Sequence, residues 1–176
     1  MAPMYLDVID LSGFYASGLG SFAQDAIAAR VRQMWGDLRE ERVVGLGYAT
    51  PILDRLGPPV SNRAMAFMPA PQGVKGWPHT GRRRVALTDE VVLPLQDASV
   101  ERLLIVHGLE MSERVRPMLD EVWRILSASG RVIIVVPNRR GLWARFETTP
   151  FGHGRPFTQP QLYGLMREAL FQPEQA

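Results

Sequence analysis

The chain lacks cysteine and has a single lysine, Lys75, among its 176 residues. Without cysteine, disulfides, thiolate metal ligands and cysteine nucleophiles are excluded. No apolar run approaches the ~20 residues of a membrane-spanning helix, and the first residues carry two aspartates instead of a basic segment. We therefore expect a cytoplasmic protein with no membrane span and no secretory signal. The histidines are too widely spaced to predict a local metal site: His79, His107 and His153.

Charge gives little indication of a partner. Twenty basic residues face eighteen acidic ones, so the net charge is only +2. Two arginine clusters, Arg82–Arg84 and Arg139–Arg140, keep nucleic-acid binding open as a hypothesis, but so balanced a chain makes nucleic acid an unlikely partner.

The hydrophobic pattern predicts alternating strands and helices. Apolar runs predict strands at 42–47, 63–68, 84–88, 101–107 and 131–136, and helical spacing predicts helices near 21–35, 50–56, 115–126 and 160–171. Thr50 is the expected N-cap of the short second helix, and Trp123 is expected in the core. Because the strands are continuously apolar, we predict an α/β, doubly wound, mostly parallel sheet covered on both faces. Ligands of such sheets bind where the strands end.

One domain is expected over residues 1–176. It would comprise an N-terminal helical segment (1–40), a five-strand α/β core (41–137), and a loop with a C-terminal helix (138–176). The length, with 46% hydrophobic residues, is typical of a single globular domain.

The loop after the first strand, Val44–Thr50, is neither of the common phosphate-binding motifs. No Gly-Lys-Ser/Thr follows, and Thr50 stands where a dinucleotide fingerprint has its third glycine. This disfavours a phosphate-bearing cofactor and is typical of a turn that lets the backbone approach an uncharged nucleoside.

Two longer stretches carry a family resemblance. Leu93–Glu110 (LPLQDASVERLLIVHGLE) and Leu119–Pro137 (LDEVWRILSASGRVIIVVP) resemble class I S-adenosylmethionine-dependent methyltransferases, in particular the small-molecule "type 11" group. The resemblance covers roughly residues 40–140 in the family's order. It implies a Rossmann-like methyltransferase fold with S-adenosylmethionine as cofactor.

The resemblance also implies cofactor-binding positions, and the chain departs from several of them. Gly45 stands where the family has an acidic residue, and of the three motif glycines only Gly47 remains. Met68 occupies the place of the carboxylate that accepts the ribose hydroxyls, and leaving that diol unpaired in a buried site costs about 1–3 kcal/mol. Asp89, with Glu90 beside it, matches the carboxylate that the family directs at the adenine amine. The remaining candidate cofactor-binding residues are Tyr48, whose ring could stack on the cofactor, and Gln72.

Two histidines are catalytic candidates. His107 ends the fourth strand and is either a general base or a partly buried histidine bonded to a neighbouring loop. His153 lies between two glycines in an aromatic-rich loop that, in such methyltransferases, closes over the substrate; it is predicted to be exposed. Arg139, Arg140 or Arg155 could hold an acidic group there, or be solvated. Glu110 is expected in the first turn of a helix, where an acid favours the dipole.

Two functions remain open. The first is S-adenosylmethionine-dependent methyl transfer to a small-molecule acceptor. The second is a catalytically silent methyltransferase-like protein that acts as a partner or regulatory subunit, a reading that the degenerate motif favours. The family's last two strands are not visible in the sequence, so we expect an open sheet edge that a protein partner or a second copy could cover.

Overall fold

A computed structural model describes residues 5–58, 60–139 and 149–174. Its centre is a sheet of five parallel strands in the order β3-β2-β1-β4-β5. The strands are β1 (Val43–Gly47), β2 (Met65–Pro69), β3 (Val85–Thr88), β4 (Val100–Val106) and β5 (Leu126–Val135). The helices are α1 (Val8–Ala16), α2 (Gly18–Trp35), α3 (Thr50–Leu56), α4 (Val60–Arg63), α5 (Val115–Ile125) and α6 (Gln159–Glu168). The predicted doubly wound α/β class is confirmed.

Both faces of the central strands are buried, each against its own set of helices. Along β4, Leu104 and Val106 join the core under α1, α2 and α3, while Leu103 and Ile105 join the core under α5 and α6. Successive strand residues point to opposite faces, so a continuously apolar strand needs cover on both sides.

The N-terminal segment forms two helices where the sequence predicted one from about residue 21. Ser17 separates them, and its hydroxyl accepts a hydrogen bond from the amide of Gly20, which caps α2. At Gly20 an added Cβ would lie 2.0 Å from the carbonyl oxygen of Phe14. The absence of a side chain at Gly20 therefore allows the corner between α1 and α2.

Two details of the α5 region correct the sequence prediction. Helix α5 ends at Ile125, one residue before its predicted end, and β5 begins directly at Leu126 instead of at the predicted residue 131. Trp123 is 55% exposed because it lies beside, not on, the stripe that α5 buries (Met118, Leu119, Val122 and Ile125).

Thr50 is also not a cap: it is the first residue of α3, and Ala49 precedes it without a side-chain hydrogen bond. Among the described residues, no helix is long and apolar enough to cross a membrane.

Candidate functional site

The turns that follow β1, β2 and β4, at Gly47, Pro69 and Val106, meet at one end of the sheet, which we call the carboxyl edge. The tightest of them is at Gly47, which has φ of +79° and whose added Cβ would lie 2.2 Å from the Val106 carbonyl oxygen. The next amide, that of Tyr48, donates a 2.7 Å hydrogen bond to the same oxygen. Only glycine fits this position, since a side chain would collide with the neighbouring strand.

His107 follows β4 and is fully buried. Its Nε2 lies 2.8 Å from the hydroxyl of Tyr15 on α1, and its Nδ1 lies 3.3 Å from Glu110 Oε1. His107 has φ of +50°, a left-handed conformation that is uncommon for a residue other than glycine. Strained backbone of this kind often occurs at functional sites.

Glu110 is buried completely, yet neither of its carboxylate oxygens makes a hydrogen bond with any described residue. It lies in the turn after β4, five residues before α5 begins, so the expected placement in a first helical turn is wrong. A buried carboxylate without donors is costly, and such groups in folded proteins call for an explanation.

Gln72 spans the carboxyl edge. It ends a short 3₁₀ turn (Ala70–Gln72) after β2, and its Nε2 donates a 2.9 Å hydrogen bond to the carbonyl oxygen of His107. The side chain is fully buried, and its Oε1 has no partner within the described chain. The edge therefore holds an unpaired amide oxygen of Gln72 as well as the unpaired Glu110 carboxylate.

Aromatic rings enclose these polar groups. Tyr15 stacks on Tyr48 with ring centroids 5.8 Å apart, and Phe14 contacts Tyr15 edge-on at 5.1 Å. From the opposite side, Phe151 approaches His107 to 5.0 Å. Helix α1 and the loop at 149–157 thus cover the edge together.

The two family carboxylate positions at the ends of β1 and β2 are apolar and closed. Met68 is fully buried in the core. At Gly45 an added Cβ would lie 2.8 Å from Ala49 Cβ and 3.0 Å from Leu53 Cδ1, so packing leaves no room for an acidic side chain. Tyr48, predicted to stack on a cofactor, is 4% exposed and stacks on Tyr15.

Asp89 and Glu90 follow β3 but have different surroundings. Asp89 is about half exposed; the amide of Val91 and the guanidinium of Arg114 hold its pKa below the usual range. Glu90 is 5% exposed and accepts a 3.2 Å hydrogen bond from the Ser112 hydroxyl. Only Glu90 therefore faces the interior near the carboxyl edge.

His153 lies on the covering loop. It is half-buried rather than exposed, and its Nδ1 lies 3.2 Å from the carbonyl oxygen of Thr149. The loop is fixed on the edge by the amide of Arg155, which donates to the carbonyl oxygen of Glu110 at 2.8 Å. Arg139 and Arg155 have exposed side chains, and Arg140 lies outside the described residues.

The other arginine cluster is partly structural. The guanidinium of Arg84 lies over the Trp77 ring, 5.4 Å from its centroid, and donates to the carbonyl oxygens of Ser61 and Ala64. Arg83 donates to the carbonyl oxygen of Pro78. Neither side chain is simply a free cation for a phosphate.

Sequence reasoning did not find Tyr15. It lies 92 positions from His107, in a helix that the sequence did not predict, so no local pattern joins them. The burial of Glu110 was likewise missed, although its spacing of three residues from His107 is a usable signal.

No family model and no curated protein matches the sequence. Solved structures do match. A methyltransferase of Thermotoga maritima, described as a possible histamine N-methyltransferase, shares 21% identity over 94% of this chain and 78% of its own, with a TM-score of 0.71. A methyltransferase of Archaeoglobus fulgidus shares 18% identity over 94% and 75% of the two chains (TM-score 0.66).

A third similar structure contains ligands. The 1,6-didemethyltoxoflavin-N1-methyltransferase of Burkholderia thailandensis, with bound substrate and S-adenosylhomocysteine, shares 19% identity over 95% of this chain and 77% of its own, with a TM-score of 0.65. At these identities the likeness establishes the fold: the chain has the fold of S-adenosylmethionine-dependent methyltransferases.

Proposed function

We propose that the protein binds S-adenosylmethionine at the carboxyl edge and transfers its methyl group to a small-molecule acceptor. The observation that carries the proposal is the set of buried polar atoms without partners at that edge: Gln72 Oε1, His107 Nδ1 and both oxygens of Glu110. A fold whose ligand site had become ordinary core would be expected to replace such atoms with apolar ones, because leaving each unpaired costs about 1–3 kcal/mol.

Two buried acceptors support cofactor binding, even though Met68 stands at the position of the ribose-binding carboxylate. Gln72 Oε1 is a buried acceptor just beyond β2 and can accept a ribose hydroxyl in place of the missing carboxylate. Glu90 is a buried carboxylate just beyond β3, where the adenine amine needs an acceptor. Gly47 has no side chain and so lets the chain turn tightly against the end of β4.

When bound, S-adenosylmethionine supplies an electrophilic methyl group on a sulfonium. The chain then has to align the acceptor and exclude water. The rings of Phe14, Tyr15 and Phe151 around His107 provide that enclosure.

Titration calorimetry with S-adenosylhomocysteine tests the proposal. We expect saturable binding, and we expect Gln72→Leu to weaken it by roughly 10- to 100-fold, because the variant removes a buried hydroxyl acceptor. Gln96→Leu is the matched control, since Gln96 is exposed. No heat and no thermal shift with millimolar ligand would refute the proposal.

A second candidate is a catalytically silent partner or regulatory subunit. The buried Met68 at the ribose position and the closed space at Gly45 favour it. In that case the parent protein does not bind S-adenosylhomocysteine, while Met68→Asp gains binding. Gly45→Asp is unsuitable for this test, because its side chain would overlap Ala49 and Leu53.

A further inference from the structure

We infer that Tyr15, His107 and Glu110 form a proton relay that removes the hydroxyl proton of a phenolic acceptor. The inference rests on the proposed function and names the substrate class of that site. Two stretches distant in sequence supply the residues: α1, and the end of β4 with the turn that follows it.

The contacts assign one proton arrangement to the relay. Burial and the nearby Glu110 raise the pKa of Tyr15, so its hydroxyl keeps its proton and can donate it to His107 Nε2 at 2.8 Å. With Nε2 as the acceptor, the relay places the imidazole proton on Nδ1, which faces Glu110 Oε1 at 3.3 Å. A histidine with one nitrogen accepting and the other oriented by a carboxylate is the arrangement of a general base.

The backbone holds the imidazole in this orientation. The left-handed φ of His107 turns its side chain toward Tyr15, and Gln72 fixes the residue by donating to its carbonyl oxygen. Phe151 lies against the ring. The 3.3 Å contact to Glu110 is longer than a good hydrogen bond, as is common before a ligand closes a site.

The relay selects a hydroxyl acceptor over an amine. A neutral amine attacks with its lone pair and need not lose a proton first, whereas a hydroxyl oxygen becomes a good nucleophile only as its proton leaves. Phe14 and Tyr48 contact the Tyr15 ring and Phe151 contacts His107, and these rings favour a flat aromatic acceptor. A phenol combines both properties.

The groups of the site account for every proton and every bond in the transfer. The phenol proton passes to the Tyr15 oxygen as Tyr15 gives its own proton to His107 Nε2. The phenol oxygen forms the new bond to the methyl carbon, and the carbon–sulfur bond breaks with its electron pair remaining on sulfur. His107 ends as an imidazolium beside the Glu110 carboxylate, which stabilises that charge.

The first test needs neither cofactor nor turnover. In ¹⁵N-histidine NMR spectra of the full chain, we expect neutral His107 to carry its proton on Nδ1, with Nε2 in the acceptor state. Tyr15→Phe should shift the Nε2 signal and leave His153, the internal control, unchanged. A proton on Nε2 in the parent protein would overturn the relay.

The second test measures methyl transfer to a series of phenols of graded acidity. Glu110→Gln should lower kcat by about 100-fold on weakly acidic phenols and lose much of its effect on the most acidic phenol, which needs no base. Should Glu110→Gln not fold, His107→Asn serves instead, since asparagine tolerates the left-handed backbone.

The two hypotheses fail in different ways. Binding of S-adenosylhomocysteine without turnover of any phenol overturns the phenol assignment and leaves methyl transfer standing. Absence of S-adenosylhomocysteine binding refutes the proposed function, even where the NMR result is as expected.

Discussion

Charged groups have contrasting environments at the two ends of the sheet. At the amino ends of β1 and β4, Arg42 binds Glu101 through both guanidinium and backbone amide, and both side chains remain partly in water. At the carboxyl edge, His107 and Glu110 are fully buried, and the carboxylate has no hydrogen-bond donor among the described residues. Paired, hydrated charges are consistent with stability alone, whereas a buried carboxylate without a donor calls for an explanation, which the proposed ligand would supply.

The largest loss of stability is expected from adding a side chain at Gly47, in the tightest turn of the carboxyl edge. Gly47→Ala places a Cβ 2.2 Å from the Val106 carbonyl oxygen at a positive φ, and should lower the free energy of unfolding by about 3 kcal/mol or more. Gly57→Ala is the matched control: φ is +74° and the space is open, so we expect only about 1 kcal/mol. Urea denaturation measures both, and equal losses would show that the edge is not tightly packed.

The next largest effect is expected for Glu121, a carboxylate away from the carboxyl edge that accepts several hydrogen bonds. Glu121 on α5 accepts from the amide of Leu93 at 2.6 Å and from Arg124, so Glu121→Gln should cost about 2 kcal/mol at pH 7.

That cost should depend on pH. The Arg124 guanidinium holds the pKa of Glu121 below its usual range. The stabilisation is therefore complete above the ordinary pKa of about 4.3 and is lost as the pH falls through the lower folded value. Urea titrations at pH 7 and pH 3 should show the difference between parent and variant shrinking; a constant difference would contradict the assignment.

At the carboxyl edge, replacing a carboxylate by an amide should raise the free energy of unfolding instead of lowering it. Glu110→Gln removes the desolvation of an unpaired carboxylate, so we expect the free energy of unfolding to rise by about 1 kcal/mol while the proposed activity falls. Thermal and urea denaturation check this. Destabilisation similar to that of Glu121→Gln would mean that Glu110 has a structural partner.

The smallest effect is expected for Arg42→Gln at the amino end. The arginine is largely exposed, so its ion pair with Glu101 is screened by water and salt. The loss should be smaller than for Glu121→Gln and should disappear in 1 M salt. A salt-independent loss would instead indicate that the aliphatic part of Arg42 packs on the sheet.

The difference between the two ends also explains what the sequence could predict. The central strands could be predicted because a run of apolar residues, such as Leu103–Val106, reflects burial on both faces of the sheet. The pairing of Tyr15 with His107 depends on how α1 folds back over the sheet, and no period or motif records that. Trp123 was misplaced because helical spacing gives the apolar stripe but not its width.

The candidate site residues also divide into those that the local sequence identifies and those that depend on tertiary structure. Gly47 could be identified from its position after an apolar strand, and the structure shows why it must be glycine. The environment of His107 required tertiary structure, since the ring is held by residues 15, 72, 110 and 151. Cofactor and catalytic roles of the predicted site residues stay predictions until binding is measured.

The position of α1 has a kinetic consequence. Tyr15 is 5% exposed and occupies His107 Nε2, so a molecule that is to reach this nitrogen from the side of α1 can enter only while the helix is displaced. The apparent affinity is then the intrinsic affinity reduced by the fraction of molecules that are open. Observed association rates should level off with rising ligand concentration at the opening rate of α1, and a shorter side chain at residue 15 should raise that plateau.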